Sequence, residues 1–280
     1  MLSKAKIVFI GPGVMAEAIA AGLIERAGVL ARQIVMCGPR PNRLQELAGK
    51  YGVESTTDNK QAVTDADIVI IAVKPQSLEQ ALQPLHGAVP VDALVLSIVA
   101  GATLESLSNL LAHGAIVRAM PNTPAQVGEG ITVWIPTAQV NAEQVQQAQL
   151  VLQALGQEVL VKDEDYLDMA TALSGTGPSY VYLFMEAMVD AGVHLGFPRR
   201  IAEQLVVQTV RGAVSYYDYS PRHLARLRNE VTSPGGTSAA ALYYLEKAGF
   251  RTALSRAIWA AYERSSQLGR GKKRDDVRDS

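Results

Sequence analysis

The chain has one cysteine and four histidines in 280 residues. A lone thiol excludes an internal disulfide. So few thiol and imidazole groups, at these spacings, form no zinc-ligand pattern, and no metal is expected. Cys37 closes an apolar run, where it reads as a small buried hydrophobe rather than a reactive thiol. An excess of one charge is also lacking: 26 Lys and Arg meet 27 Asp and Glu, for a formal net charge of −1. Without a basic footprint, nucleic acid is not an expected partner. No apolar run reaches the roughly 20 residues that a membrane span needs. Residues 1–10 run into a glycine turn without a small-residue cleavage pattern, so the expected location is the cytoplasm. The one dense charge cluster is Arg270-Gly271-Lys272-Lys273-Arg274-Asp275-Asp276, and residues 271–280 read as a flexible, solvated end.

What is present is a large apolar fraction, 48%, enough for a sizeable core. Short runs rich in Val and Ile at 7–10, 33–36, 53–55, 67–72, 94–98, 116–119, 130–135 and 158–161 read as strands. Helical patterns at 15–26, 43–51, 60–66, 78–85, 104–110 and 141–155 alternate with them, the last with Asn141 as its expected cap. Such alternation implies an α/β domain, a mostly parallel sheet covered on both faces. The pattern changes near Lys162. Residues 166–174, 178–195, 199–216, 221–229, 238–248 and 250–268 all carry helical periodicity, punctuated by Gly and Pro. The expected organisation is therefore a Rossmann-like domain over 1–162, an all-α domain over 163–270 and the tail. The aromatic side chains of the second domain read as core and interface, which favours a homo-oligomer.

Gly11-Pro12-Gly13-Val14-Met15-Ala16 follows a buried strand and opens a helix. Gly11 permits the tight turn, Gly13 lets the backbone approach a pyrophosphate, and Ala16 lets helix and strand pack closely. The helix start then offers unpaired N–H groups to phosphate oxygens. At the end of the second strand an NAD site usually carries a carboxylate for the ribose 2′-OH. None occurs in Cys37-Gly38-Pro39-Arg40-Pro41-Asn42-Arg43, and Arg40 and Arg43 can meet a 2′-phosphate instead. NADPH is the expected cofactor, with NADH also open. Two further strand ends, at Val73-Lys74-Pro75-Gln76 and at Ala100, should rim the same crevice, with Lys74 a candidate cofactor contact.

Three more segments carry a resemblance: Met120-Pro121-Asn122-Thr123-Pro124, Leu173-Ser174-Gly175-Thr176-Gly177-Pro178 and Thr232-Ser233-Pro234-Gly235-Gly236-Thr237-Ser238. With the Gly11 loop and the Val73 segment, in this order and spacing, the chain resembles the pyrroline-5-carboxylate reductase family from about residue 6 to about residue 268. The resemblance implies a Rossmann-like domain followed by a helical dimerisation domain, and often a ring of dimers, up to a decamer. It implies reduction of L-1-pyrroline-5-carboxylate to L-proline by NAD(P)H, the last step of proline synthesis. Carried over by position, the cofactor contacts are Gly11, Pro12, Gly13, Val14, Met15, Ala16, Asn59, Val73, Lys74, Pro75 and Ala100. Pro39, Arg40, Asn122 and Pro178 complete the expected set. The substrate contacts are Ser233, Gly235, Gly236, Thr237 and Ser238. The family usually has Thr where this chain has Ser238, preceded by Thr237, so either hydroxyl can face the imine nitrogen as the catalytic donor.

The residues support this reading on their own. The Pro-Gly-Gly-Thr-Ser segment opens an expected helix, so its amides can cradle a carboxylate while its hydroxyls cap the helix and donate to a substrate. Hydride transfer to a C=N bond needs alignment and exclusion of water more than a strong acid. That suits a chain with no His-Asp pair or carboxylate dyad in the expected site. Hydroxyacid dehydrogenases of this architecture place a catalytic lysine on the long helix of the second domain, and residues 180–196 contain none. A reductase of a related cyclic imine and an NADPH-binding paralogue with a regulatory role are the remaining alternatives.

Overall fold

In the computed structural model the described residues are 2 and 4–269. The expected tail, 271–280, lies outside them. The elements in chain order are β1 (Ile7–Ile10), α1 (Val14–Arg26), β2 (Ile34–Cys37), α2 (Pro41–Tyr51), β3 (Glu54–Thr56), α3 (Asn59–Val63), β4 (Ile68–Ile71), α4 (Leu78–Leu82), β5 (Leu94–Ser97), α5 (Leu104–Leu111), β6 (Ile116–Met120), β7 (Gly130–Pro136), α6 (Ala142–Gln153) and β8 (Gly156–Leu160). Then follow α7 (Asp165–Ala170), a π-helical turn (Thr171–Gly175), α8 (Gly177–His194), α9 (Arg199–Tyr219), α10 (Leu224–Glu230), α11 (Thr237–Lys247) and α12 (Phe250–Gly269). No described helix is long and apolar enough to cross a membrane.

The eight strands form one sheet in the order β3-β2-β1-β4-β5-β6-β7-β8. Every neighbouring pair is parallel except β6 and β7. Strands buried on both faces read as continuous apolar runs, and β1, β2, β4 and β5 are buried throughout. Alternate side chains feed two cores. Ile7 and Phe9 join Ile19, Leu23 and Trp134 on one face, while Val8 and Ile10 join Val69, Leu82 and Leu107 on the other. Each such fully buried side chain contributes about 1.5–3 kcal/mol. The chain runs outward from β1 in both directions, so β1 and β4 flank the topological switch point, where ligands bind beyond the carboxyl ends of the strands.

Contacts divide the chain into two units, Met1–Thr176 with Ala261–Ser280, and Gly177–Ala260. The division therefore falls past the compositional change at Lys162. A buried ionic network lies just before that boundary. Arg118 on β6, 4% exposed, donates to Glu164 at 2.7 Å and to Asp168 at 3.2 Å, which holds α7 to the sheet. Glu164 also accepts the Leu104 N–H at the start of α5 (2.8 Å), and Asp168 accepts the Ser265 hydroxyl of α12 (2.8 Å).

The second unit is helical, as its periodicity implies. It has a thin core: Val189, Ala202 and Val206 are buried between α8 and α9, where Gly192 lets the helices approach. Large apolar side chains remain exposed in the single chain, among them Leu183, Leu205, Tyr243, Tyr244 and Trp259.

Removing one member of a buried ion pair leaves the other charge uncompensated. Arg118→Met should lower the unfolding free energy of the sheet unit by about 3 kcal/mol, read by chemical denaturation. An unchanged midpoint would show that the network holds nothing.

Candidate functional site

The turn between β1 and α1 sits at the switch point. Gly11 has φ +103°, and a Cβ there would lie 2.8 Å from Val73 Cγ1 and 2.9 Å from the Ala72 carbonyl. Its N–H donates to the Cys37 carbonyl at 2.9 Å. The fold itself thus requires glycine at this position. Gly13 is different. It is the cap residue of α1, with φ −82° and ψ 178°, and no side chain caps the helix. A Cβ there would meet only the Ala72 carbonyl oxygen, at an ordinary 3.7 Å. Sterically a side chain at 13 would be tolerated within the chain, so there is room above the backbone here for a ligand to approach. By helix geometry the amides of Val14, Met15 and Ala16 have no acceptor within the helix, the arrangement that binds anions at helix starts. Ala16 is fully buried and Val14 is exposed.

The rim follows the sheet order. At the end of β2, Gly38 lets Pro12 lie against the strand; a Cβ would come within 2.4 Å of Pro12 Cδ. Pro39 and Arg40 are exposed, and no hydrogen bond or ion pair among the described residues holds the Arg40 guanidinium. Arg43 has other work. It pairs with Glu17 and with Glu46 (2.7 Å), and its Nε donates to the Pro12 carbonyl at 3.3 Å. Glu17 also accepts from Lys50 (2.7 Å) and from the Tyr51 hydroxyl (2.9 Å). Burial pushes the Glu17 pKa up, but these hydrogen bonds outweigh it and hold the carboxyl near a pKa of about 2. Sequence reasoning offered Arg40 and Arg43 alike to a 2′-phosphate; the structure separates them, because Arg43 is already paired.

Asn59 begins α3, after Asp58 has capped it. Its Oδ1 is buried without a hydrogen-bond partner. A buried acceptor left open calls for a donor from elsewhere, such as a ribose hydroxyl. At the end of β4, Val73 is half-buried, while Lys74 and Pro75 are exposed and the Lys74 ammonium has no partner among the described residues. Ala100, half-buried, lies at the end of β5 before Gly101, whose φ is +75°.

Asn122 follows β6, and its amide is committed to the scaffold. Its Oδ1 accepts the Ile131 N–H at 3.0 Å, and its Nδ2 donates to the Ser174 carbonyl at 3.2 Å. The second bond has a covalent cause. Pro178 has no N–H, so the Ser174 carbonyl four residues earlier has no helical donor. The backbone widens into the π turn there, with the Thr176 N–H bonded to the Thr171 carbonyl at 2.8 Å. Such turns are frequent at functional sites.

In the helical unit, Ser233 accepts the Gly236 N–H on its carbonyl (3.0 Å) and Gly235 turns with φ +70°. The expected capping of α11 by the Thr237 and Ser238 hydroxyls does not occur. The cap residue of α11 is Gly236, and no side chain caps the helix; Thr237 and Ser238 lie inside the first turn, so their hydroxyls do not cap it. Thr237 is exposed and Ser238 half-buried, and neither hydroxyl has a hydrogen-bond partner among the described residues. The result is an open helix start with free amides and two free hydroxyls, suited to a carboxylate beside a polar group. Cys37 is buried, and burial pushes its thiol up to about 12, so it is not a nucleophile. No cluster of metal-binding side chains occurs among the described residues.

Sequence reasoning missed the Arg118 network and the Glu17 cluster. An arginine inside the apolar run Ile116–Met120 was the available signal for the first, since such a charge survives burial only when paired. Glu17 carried a weaker one, an acid near a phosphate-facing helix start.

The family model described as pyrroline-5-carboxylate reductase dimerisation matches residues 164–268. The model described as NADP oxidoreductase coenzyme F420-dependent matches residues 6–101. The pyrroline-5-carboxylate reductase of Synechocystis is 41% identical over 261 residues, covering 93% of this chain and 97% of that protein. That of Pseudomonas aeruginosa is 39% identical over 268 residues, covering 95% and 98%. The solved structure of the Plasmodium falciparum pyrroline carboxylate reductase with NADP bound is similar with a TM-score of 0.87 at 31% identity, covering 96% of this chain and 100% of that one.

The two turn glycines should separate by melting temperature alone. Gly11→Ala forces both a strained backbone and a clash, and should cost about 2 kcal/mol or more. Gly13→Ala should shift stability by less than about 1 kcal/mol, the cost of a poorer cap residue. Equal losses would show that both glycines serve the fold.

Proposed function

The chain belongs to the pyrroline-5-carboxylate reductase family, and we propose that it reduces L-1-pyrroline-5-carboxylate to L-proline, with NADPH preferred over NADH. The cofactor fits the turn. The space above Gly13, the free amides of α1 and the open Asn59 Oδ1 offer a phosphate cradle and a hydroxyl acceptor. Arg40 meets the 2′-phosphate with charge-assisted bonds, and Lys74 adds positive charge on the opposite rim. Val73, Pro75 and Ala100 line the cleft, Pro39 flanks Arg40, and Asn122 and Pro178 hold the π turn.

The reduced nicotinamide, when bound, supplies the hydride that the imine carbon accepts. The chain's own residues do the rest. The first amides of α11 hold the substrate carboxylate, with Ser233, Gly235 and Gly236 shaping the approach. The imine nitrogen takes its proton from solvent, and the Ser238 hydroxyl forms a hydrogen bond at the nitrogen's site. The protonated nitrogen, whose carbon is the better electrophile, is held there until hydride transfer leaves a neutral secondary amine. The half-buried position of Ser238 favours it over the exposed Thr237. The observation that carries the substrate assignment is the uncapped start of α11 with its two unpartnered hydroxyls. Ser238 keeps the donor that the family's usual threonine provides, so the replacement does not point to a regulatory protein.

The assembly proposed is a homodimer, with a ring of dimers as its larger form. Support comes from the thin core of the helical unit and from its exposed apolar side chains, which a second copy would cover. Cytoplasmic residence is part of the same proposal.

Mixing the pure protein with pyrroline-5-carboxylate and NADPH should give decay of the reduced-cofactor absorbance and stoichiometric proline. Ser238→Ala should cut kcat by about ten- to a hundredfold, the worth of one hydrogen bond to a charged group, and leave the Kd for NADPH unchanged. An equal loss in both would remove Ser238 from the substrate side. Arg40→Ala should raise the KM for NADPH about tenfold and leave that for NADH nearly unaltered. An unchanged preference would remove Arg40 from the 2′-phosphate site.

A further inference from the structure

Three residues after Arg40, on the first turn of α2, Arg43 carries a second guanidinium on the same side of the phosphate turn. It is not idle. Its side chain is only 20% exposed, and its three bonds run to Glu17, Glu46 and the Pro12 carbonyl. These partners are unequal. Glu46 is 60% exposed and lies three residues along the same helix, an arrangement that holds a side chain weakly. Glu17 is 18% exposed, and three donors from α2 converge on it. Glu17 also sits on α1, one turn past Gly13, so it draws Arg43 across from its own helix toward the turn.

We propose that Glu17 is a specificity-determining residue. It sequesters Arg43 on the phosphate turn and leaves Arg40 as the free guanidinium for a 2′-phosphate, so that it limits how strongly the site prefers NADP(H) to NAD(H). The inference rests on the reading that a dinucleotide lies along this turn. Two effects follow from the same contact. The Pro12 carbonyl is held in place by Arg43 Nε, which fixes the turn for either nucleotide. The Arg43 charge is neutralised by Glu17, which withholds it from the nucleotide that carries the extra phosphate. Neutralising Glu17 reverses the second effect: Arg43 keeps its weak tie to Glu46 and gains the freedom to swing to the 2′-phosphate.

The test is titration calorimetry of NADP+ and of NAD+ into the full chain and three variants, E17Q, R43Q and E17Q/R43Q, with melting curves to verify folding. In E17Q the ratio of the NAD+ Kd to the NADP+ Kd should rise about threefold, the size of a partly exposed charge pair. In E17Q/R43Q the gain should vanish, and the ratio should return to that of R43Q. R43Q alone should weaken both nucleotides together and leave the ratio unchanged, because Arg43 is not a ligand of the native site. Three results would overturn the proposal: an unaltered ratio in E17Q, a gain that survives in the double variant, or an R43Q ratio that falls as it should in Arg40→Ala. Should E17Q not fold, the R43Q ratio decides alone. If the native protein bound neither nucleotide, the dinucleotide reading would itself be lost, an outcome distinct from binding with an unaltered ratio.

Discussion

At the carboxyl ends of β1 and β4 the backbone of Gly11 lies against the Ala72 carbonyl and the Val73 side chain, closer than any Cβ permits. That contact fixes where α1 starts. Pro12 then rests on Gly38 at the end of β2, and Arg43 reaches back to the Pro12 carbonyl. Five elements, β1, α1, β2, α2 and β4, thus meet at one turn, and only the Ala72 carbonyl oxygen lies near the Gly13 backbone on its open side. The same geometry accounts for the two glycines having different reasons to be there. One is demanded by strain and contact within the fold; the other caps α1 and leaves the backbone open to close approach.

The helical unit has a comparable helix start. Gly236 caps α11 without a side chain, so the helix start keeps its donors. A side-chain cap would satisfy those amides and stabilise the isolated helix by about 1 kcal/mol. Its absence is intelligible if a substrate carboxylate takes the place of the cap. The thin core between α8 and α9 is intelligible in the same way, with a second copy of the chain supplying what the single chain lacks.

Much of this is legible in the sequence, for identifiable reasons. All eight strands and the long helices lie close to where the apolar periodicity predicts, and the fully buried strands leave continuous runs such as Ile68–Ile71 because both faces of the sheet are covered. Asn141 caps α6 as its residue type implies, with Gln144 completing a reciprocal pair. Periodicity is blind to strand direction, so the antiparallel pairing of β7 could not be read. It is also blind to long-range pairs. The Arg118 network spans residues far apart in the chain and ties α7 to the sheet, and the contact boundary lies at Thr176. At the site, the glycines and Arg40 were legible from local motif and position. The division of labour between Arg40 and Arg43 was not, because it depends on Glu17 from another helix. The hydroxyls of Thr237 and Ser238 were found, but their freedom from capping depends on a one-residue difference in where α11 begins, the least predictable feature of any helix.

The claim on which the rest depends is that the start of α1 holds a pyrophosphate in space that Gly13 leaves open. Titration calorimetry of NADPH into the native protein and into Gly13→Val tests it most directly. The account predicts tight uptake by the native chain, and no measurable uptake by a variant whose cooperative unfolding shows the sheet unit intact. Uptake by Gly13→Val at the native affinity would contradict it.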